Sequence, residues 1–185
     1  VKRKVFSQKF KNIDDYLSSL KMELNLFDCN ELNILRISQM TQKTNQFNLT
    51  TKRYIEQDLI NIKKNNGLIN CLSVKDRFGD NGITVASVIL IDQHIASIDS
   101  FLLSCRILGR GIEEAYLLFL LNNLFKMGIT TVEAKYIPTK KNKQTSEFYE
   151  NQGFKIIKTE ESGIKTYSLE LVKINKIKEY FKFIS

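Results

Sequence analysis

The sequence has one histidine, His94, and three cysteines, Cys29, Cys71 and Cys105, in 185 residues. A single imidazole set among turn-forming residues argues against a histidine-dependent triad and against a histidine-rich metal site, so no metal is expected. Three widely spaced thiols suit neither a disulfide framework nor a zinc motif, and they point to a reducing compartment. No apolar run approaches the roughly 20 residues that a membrane span needs, and Val1-Lys-Arg-Lys is followed by no signal-like apolar core. A soluble, cytoplasmic protein is therefore expected. Internal repeats, low-complexity tracts and composition breaks are all missing, so residues 1–185 suit one domain, large enough to bury a core unaided. The start at Val1 points to a piece of something longer.

The formal net charge is +8. Such a balance favours acidic partners: nucleic acid, an anionic cofactor or an acidic protein. The basic residues are spread through a chain rich in Lys, Asn and Ile and form no aromatic-interleaved patch, which argues against nucleic acid. The richer clusters, Lys2 to Lys11 and Lys173 to Lys182, lie at the two ends and suit solvated surface.

Periodicity predicts a short helix over Asn12 to Lys21, a strand over Met22 to Phe27, and helices over Asn30 to Met40 and Thr51 to Lys64. The polar segment from Thr41 to Asn48 carries neither period. Cys71 to Asp76, Ile83 to Ile91 and Ile95 to Cys105 predict three antiparallel strands, with turns at Gly79-Asp-Asn-Gly82 and Asp92-Gln-His94. Ile112 to Met127 is apolar around most of its circumference and predicts a buried helix. Thr131 to Ile137 reads as strand, Asn142 to Asn151 as helix, and Lys155 to Thr159 with Lys165 to Val172 as a hairpin through Gly163. Ile174, Ile177, Phe181 and Ile184 predict a final helical stripe.

Between the third strand of the meander and the buried helix stands Arg106-Ile-Leu-Gly109-Arg-Gly111. A strand ending in a basic, glycine-punctuated turn that opens into a helix aims several backbone N–H groups at one point, where the helix dipole also favours an anion. Gly109 and Gly111 let backbone approach a phosphate, and Arg106 and Arg110 can add charge-assisted contacts. Downstream, Phe148-Tyr149-Glu-Asn-Gln-Gly153-Phe154 reads as a short helix stopped by a glycine before a strand. The two motifs, in this order with a strand between them, resemble the acyl-CoA pyrophosphate loop and the F-Y-x-x-x-G-F segment of the GCN5-related N-acetyltransferase (GNAT) superfamily. The resemblance implies an α/β fold, a mixed and largely antiparallel sheet flanked by helices. It also implies contact with acetyl-CoA or another acyl-CoA, or with an acyl-phosphopantetheine arm. That contact would run over Ser104, Cys105, Arg106, Ile107, Leu108, Gly109, Arg110, Gly111 and Ile112, with Asn142 and Tyr149.

Three longer strings, Arg36 to Thr51, Asp76 to Gly82 and Ser104 to Arg110, together with Pro138 to Asn142, resemble the C-terminal module of FkbH-like proteins. These are phosphatase enzymes of the haloacid-dehalogenase (HAD) type, linked to loading a glyceryl unit onto acyl carrier protein on the way to methoxymalonyl extender units for polyketides. The Asp-x-Asp pair that HAD chemistry requires is missing, so that chemistry does not carry over. What the resemblance implies is the appended GNAT-like portion, with acyl carrier protein and the HAD domain of a longer parent chain as partners.

For transfer, Tyr149 matches the position that often supplies the acid for the leaving thiolate, and an aromatic packing role fits it equally. Asp99, on the strand before the turn, is either the general base or a strand-end surface carboxylate. Cys105 is either an acyl-accepting thiol beside Arg106 or a buried small residue. The amide-rich segment Gln42 to Asn48 either lines an acceptor pocket or caps the next helix. Asp76 to Asp80 either forms a salt-bridged turn or points Arg77 at an anionic substrate. The residues leave two functions open: an acyltransferase, and a catalytically inactive module that docks carrier protein or positions the HAD domain.

Overall fold

A computed structural model describes residues 6, 8, 10–172 and 181–184. The first helix, α1 (Ile13–Ser19), is opened by Asn12, whose side chain accepts from the backbone N–H of Asp15 at 2.7 Å. Strand β1 (Glu23–Asp28) follows. Helix α2 (Ile34–Lys43) starts four residues later than the sequence predicts. Asn30 and Asn33 spend their side chains on local bonds, Asn30 accepting from Leu32 N and Asn33 from Asn30 N, and this competes with helical pairing.

Residues Phe47–Asn48 form a short strand, β2, in the segment that showed no period. Helix α3 (Glu56–Lys64) is likewise shorter than expected, because Thr51 has a positive φ of 53° and the chain reaches the helix only where Asp58 accepts from Ile55 N at 2.9 Å. Strands β3 (Leu68–Asp76), β4 (Gly79–Asp92) and β5 (Ile95–Leu103) form the expected antiparallel meander. The first hairpin turns at Arg77–Phe78 rather than at Gly79 to Gly82, since Asp76 accepts from Phe78 N at 2.8 Å and closes the turn earlier.

A 3-10 turn (Cys105–Ile107) leads into the buried helix α4 (Ile112–Lys126), entered through Gly111 at φ 68°. Strand β6 (Thr131–Tyr136) comes next. The expected helix from Asn142 to Asn151 is broken into a 3-10 turn (Lys143–Thr145) and a short helix α5 (Phe148–Asn151). Its end is a Schellman closure at Gly153, with Phe154 N donating to Tyr149 O and Gly153 N to Glu150 O, both at 3.0 Å. Strands β7 (Lys155–Thr159), β8 (Lys165–Glu170) and β9 (Lys182–Ile184) complete the fold. The last is a correction: residues 182–184 pair with β1 as a strand, whereas a helix was expected, and Ile174 and Ile177 lie outside the described residues.

The strands join one mixed sheet in the order β7-β8-β6-β5-β4-β3-β1-β9, with β2 added on β5. Among the described residues only the β5–β6 and β1–β9 pairs are parallel. Helix α4 fills one face, where Tyr116, Leu117 and Leu120 pack with Phe101, Ile98 and Val132. Helices α2 and α3 cover the other through Ile37, Met40 and Leu59 against Cys71, Val88 and Leu102.

Candidate functional site

Two departures from regular pairing make the site. Strands β5 and β6 pair only from Ile95–Thr131 to Ile98–Ala134, and β5 then runs on for five more residues without β6. At that point β5 also carries a bulge: Val88 faces Ser100 and Ile89 faces Ile98, so Asp99 is the extra residue. A bulge bends the strand and re-aims one side chain. Inward facing accordingly passes from Ala96 and Ile98 to Phe101 and Leu103, and Asp99 points away from the α4 core.

Asp99 is held by two groups from the α2–α3 connection. The Tyr54 hydroxyl donates to Oδ2 and the Lys52 ammonium pairs with Oδ1. Burial, and then the Asp99 hydrogen bond, push the Tyr54 phenol well above its usual range, so it stays a donor. Around Asp99 opens a cleft of about 240 Å³, with Lys52, Glu133, Lys135 and Thr166 on its walls.

The wedge left by the parting of β5 and β6 is filled by the chain itself. In strand β2, Phe47 pairs with Leu103 and Asn48 with Leu102. Leu49 N donates to Phe101 O, Ile137 N donates to Leu49 O at 2.8 Å, and the Thr50 hydroxyl donates to Asp99 O at 2.9 Å. Asn142, fully buried, clips this segment in place. Its Nδ2 donates to Asn48 O and Ile137 O, both at 3.0 Å, while Oδ1 accepts from Thr139 N at 2.7 Å and from the Tyr136 hydroxyl. The amide of Asn142, expected to touch a cofactor, is thus spent on the protein.

Tyr149 lies behind the wedge. It is 1% exposed, ringed by Phe148, Phe154 and Tyr167, and its hydroxyl has no hydrogen-bond partner among the described residues. Burial first, and then Tyr167, raise its pKa far above the ordinary phenol value. In this arrangement the hydroxyl is sealed from the Asp99 cleft and from solvent.

The basic turn has the backbone shape expected of it, with Gly109 at φ 73° and Gly111 at φ 68°, but its mouth is occupied. Glu113 sets its carboxylate there. Burial raises its pKa, and Glu114 adds to this, while the backbone N–H groups of Glu113, Gly109 and Ile112 favour the charged form less strongly. A buried carboxyl group, tilted toward its neutral form and with Oε2 unpartnered among the described residues, therefore stands near the amides expected to cradle a phosphate. Arg110, expected to reach outward, is buried: its guanidinium donates to Asp76 Oδ2 at 2.9 Å and to Arg106 O. Asp76 thus belongs to a salt-bridged turn, and Arg77 reaches Ser19 O and the Phe6 ring.

On the outer side of the same turn lies a second cleft, of about 530 Å³. Arg36, Lys43, Arg106 and Lys141 line it, from three separate parts of the chain, and among the described residues no carboxylate does. Ser104 and Cys105 form its floor, and the Cys105 thiol is exposed. Cys29 and Cys71 are buried instead. Burial raises the pKa of both and takes Cys71 to about 12, which leaves them inert. Ile107 and Ile112 face the core and Leu108 packs against it. His94, in its turn, sets Nδ1 3.1 Å from Gly128 O.

Against solved structures the chain aligns over most of its length. The ribosomal-protein-S18-alanine N-acetyltransferase from Escherichia coli matches with a TM-score of 0.62 at 12% identity, over 83% of this chain and 97% of that one. The fold is that of the GNAT acetyltransferases. Ard1 from Thermoplasma volcanium gives 0.61 at 13% identity, covering 81% and 99%. A Bacillus subtilis acetyltransferase in complex with CoA gives 0.58 at 12%, covering 80% and 99%. No protein-family model matches the chain, and no curated protein matches its sequence.

Within this GNAT fold, the structure brings Ser104, Cys105 and Arg106 to an open cleft and puts Asp99 at the bulge. It places Arg110, Asn142 and Tyr149 in the interior. Sequence reasoning missed Lys52 and Tyr54, which hold Asp99, and Arg36, Lys43 and Lys141. Tyr54 lies 45 residues from Asp99 in the chain, and only the folded structure makes them neighbours. Among the described residues, no group of three or more metal-ligating side chains gathers, and no helix is long and apolar enough to cross a membrane.

Proposed function

We propose that this GNAT-fold chain is a binding module for the phosphate-bearing arm of a thioester carrier, CoA or the phosphopantetheine of an acyl carrier protein, and that it does not itself transfer the acyl group. In a longer parent of the FkbH-like kind, it would dock the carrier protein or position the HAD domain during loading of a glyceryl or methoxymalonyl-type unit. The observation that carries the absence of transfer is the occupancy of the wedge. A pantetheine arm is an extended chain with two amides, suited to pair with a strand edge. Running from the basic turn toward Asp99 it would lie along β5, and β2 already holds that edge. The sealed Tyr149 hydroxyl and the ion-paired Asp99 point the same way.

A second reading, acyl transfer from acyl-CoA or an acyl-phosphopantetheine arm, draws support from the Asp99 bulge, where a carboxylate lines an open cleft. In it, Asp99 is the base and Tyr149 the acid, and Tyr149 needs its enclosing rings, Phe148, Phe154 and Tyr167, to part. Incubation with acetyl-CoA and a panel of amines and alcohols separates the two. Arm binding without product supports the binding module. Product formation that is lost in Asp99→Asn and in Tyr149→Phe supports the transferase and overturns the first reading.

A further inference from the structure

The outer cleft is an unusual place to gather charge. Arg36 comes from the middle of α2, Lys43 from its last turn, Arg106 from the 3-10 turn after β5, and Lys141 from the connection after β6. None of the four makes an ion pair among the described residues. Arg36 is fixed in place by donating to Ile83 O from Nε and Nη2, at 3.4 and 3.2 Å. Burial, and after it the charge of Arg106, lower the Arg36 pKa, so these two guanidinium groups feel one another. Four cations held around one cavity repel, and an anion seated among them removes that repulsion. The cavity, at about 530 Å³, also has room for much more than a bare ion.

At the mouth of α4, the conventional place for an anion, the buried Glu113 carboxyl stands near the helix amides, with Oε2 unpartnered among the described residues. We infer that the cleft between Arg36, Lys43, Arg106 and Lys141 is a binding site for a phosphate ester, seated among these four side chains. Arg36 and Arg106 supply planar, directional donors, and the two lysines supply mobile charge. The inference goes beyond the proposed function, since it holds for any ligand carrying such a group.

The test is calorimetric titration at fixed ionic strength with four probes: 4′-phosphopantetheine, pantetheine, phenyl phosphate and CoA. The wild-type protein is compared with Lys43→Gln/Lys141→Gln, whose replaced side chains are both exposed and whose fold is checked by its thermal transition. Phosphopantetheine should bind and pantetheine should not. The double variant should bind at least tenfold more weakly, and affinity should fall with added salt. If phenyl phosphate binds as well as phosphopantetheine, the cleft stands and the pantetheine-arm reading fails. If pantetheine binds as well as phosphopantetheine, the arm reading stands and the cleft fails. Phosphate-dependent binding that the double variant leaves unchanged also overturns the cleft. Tighter binding of CoA than of phosphopantetheine, lost in the double variant, supports the cleft and identifies the nucleotide as the source of the anion.

Discussion

Tyr149→Phe separates a packed interior from an acid catalyst in one substitution. The hydroxyl is buried, 1% exposed as a residue, and without a partner among the described residues, so the folded state bears its desolvation with nothing in return. An unsatisfied buried hydroxyl costs about 1–3 kcal/mol, and deleting it leaves only an oxygen-sized gap, so the variant should be more stable by about 1 kcal/mol. In a domain of this size that is a rise of roughly 2–4 °C in Tm. Urea unfolding should show the midpoint moving up with the slope unchanged, since no extra surface is exposed on unfolding. A loss of stability of about 1 kcal/mol or more would refute the reasoning, because it would mean that the hydroxyl is bonded in the native protein.

Asn142→Ala removes four hydrogen bonds from one fully buried amide and leaves Asn48 O without the Nδ2 donor. A loss of about 3 kcal/mol is expected, read by denaturant unfolding, with faster hydrogen exchange at the Leu49 and Ile137 amides than elsewhere in the sheet. Glu113 gives a pH dependence. Its carboxyl pKa is raised on folding, so the native state binds more protons, and stability is lost as pH rises above the ordinary value of 4.5. Glu113→Gln should flatten that part of the stability profile between pH 4 and 8, and an unchanged slope would count against a buried carboxylate at the helix mouth.

The meander, the buried helix and the glycine turn were legible because each rests on local pattern: β-branched runs, an apolar helix surface and a positive φ that glycine accepts. Strand β2 was not. Its two residues sit in a polar stretch, and they are strand only because β5 and β6 part and leave an edge to satisfy. The bulge at Asp99 is set by the register of β4 against β5, which no single strand encodes. The fates of Arg110 and Asn142 turn on which neighbour is in reach, and each has protein partners where a ligand contact was expected. The basic cleft was hidden by distance, since Arg36 and Lys141 are far apart in the chain and meet only across the sheet end.

Amide hydrogen exchange at Leu49 and Ile137, followed while the protein is saturated with acetyl-CoA or acyl-phosphopantetheine, tests the closed wedge most directly. Both amides are donors in the bonds that hold residues 47–50 between β5 and β6. The account predicts that they keep their protection with ligand bound and that no acylated product accumulates. Loss of protection at both positions, together with product, would contradict it.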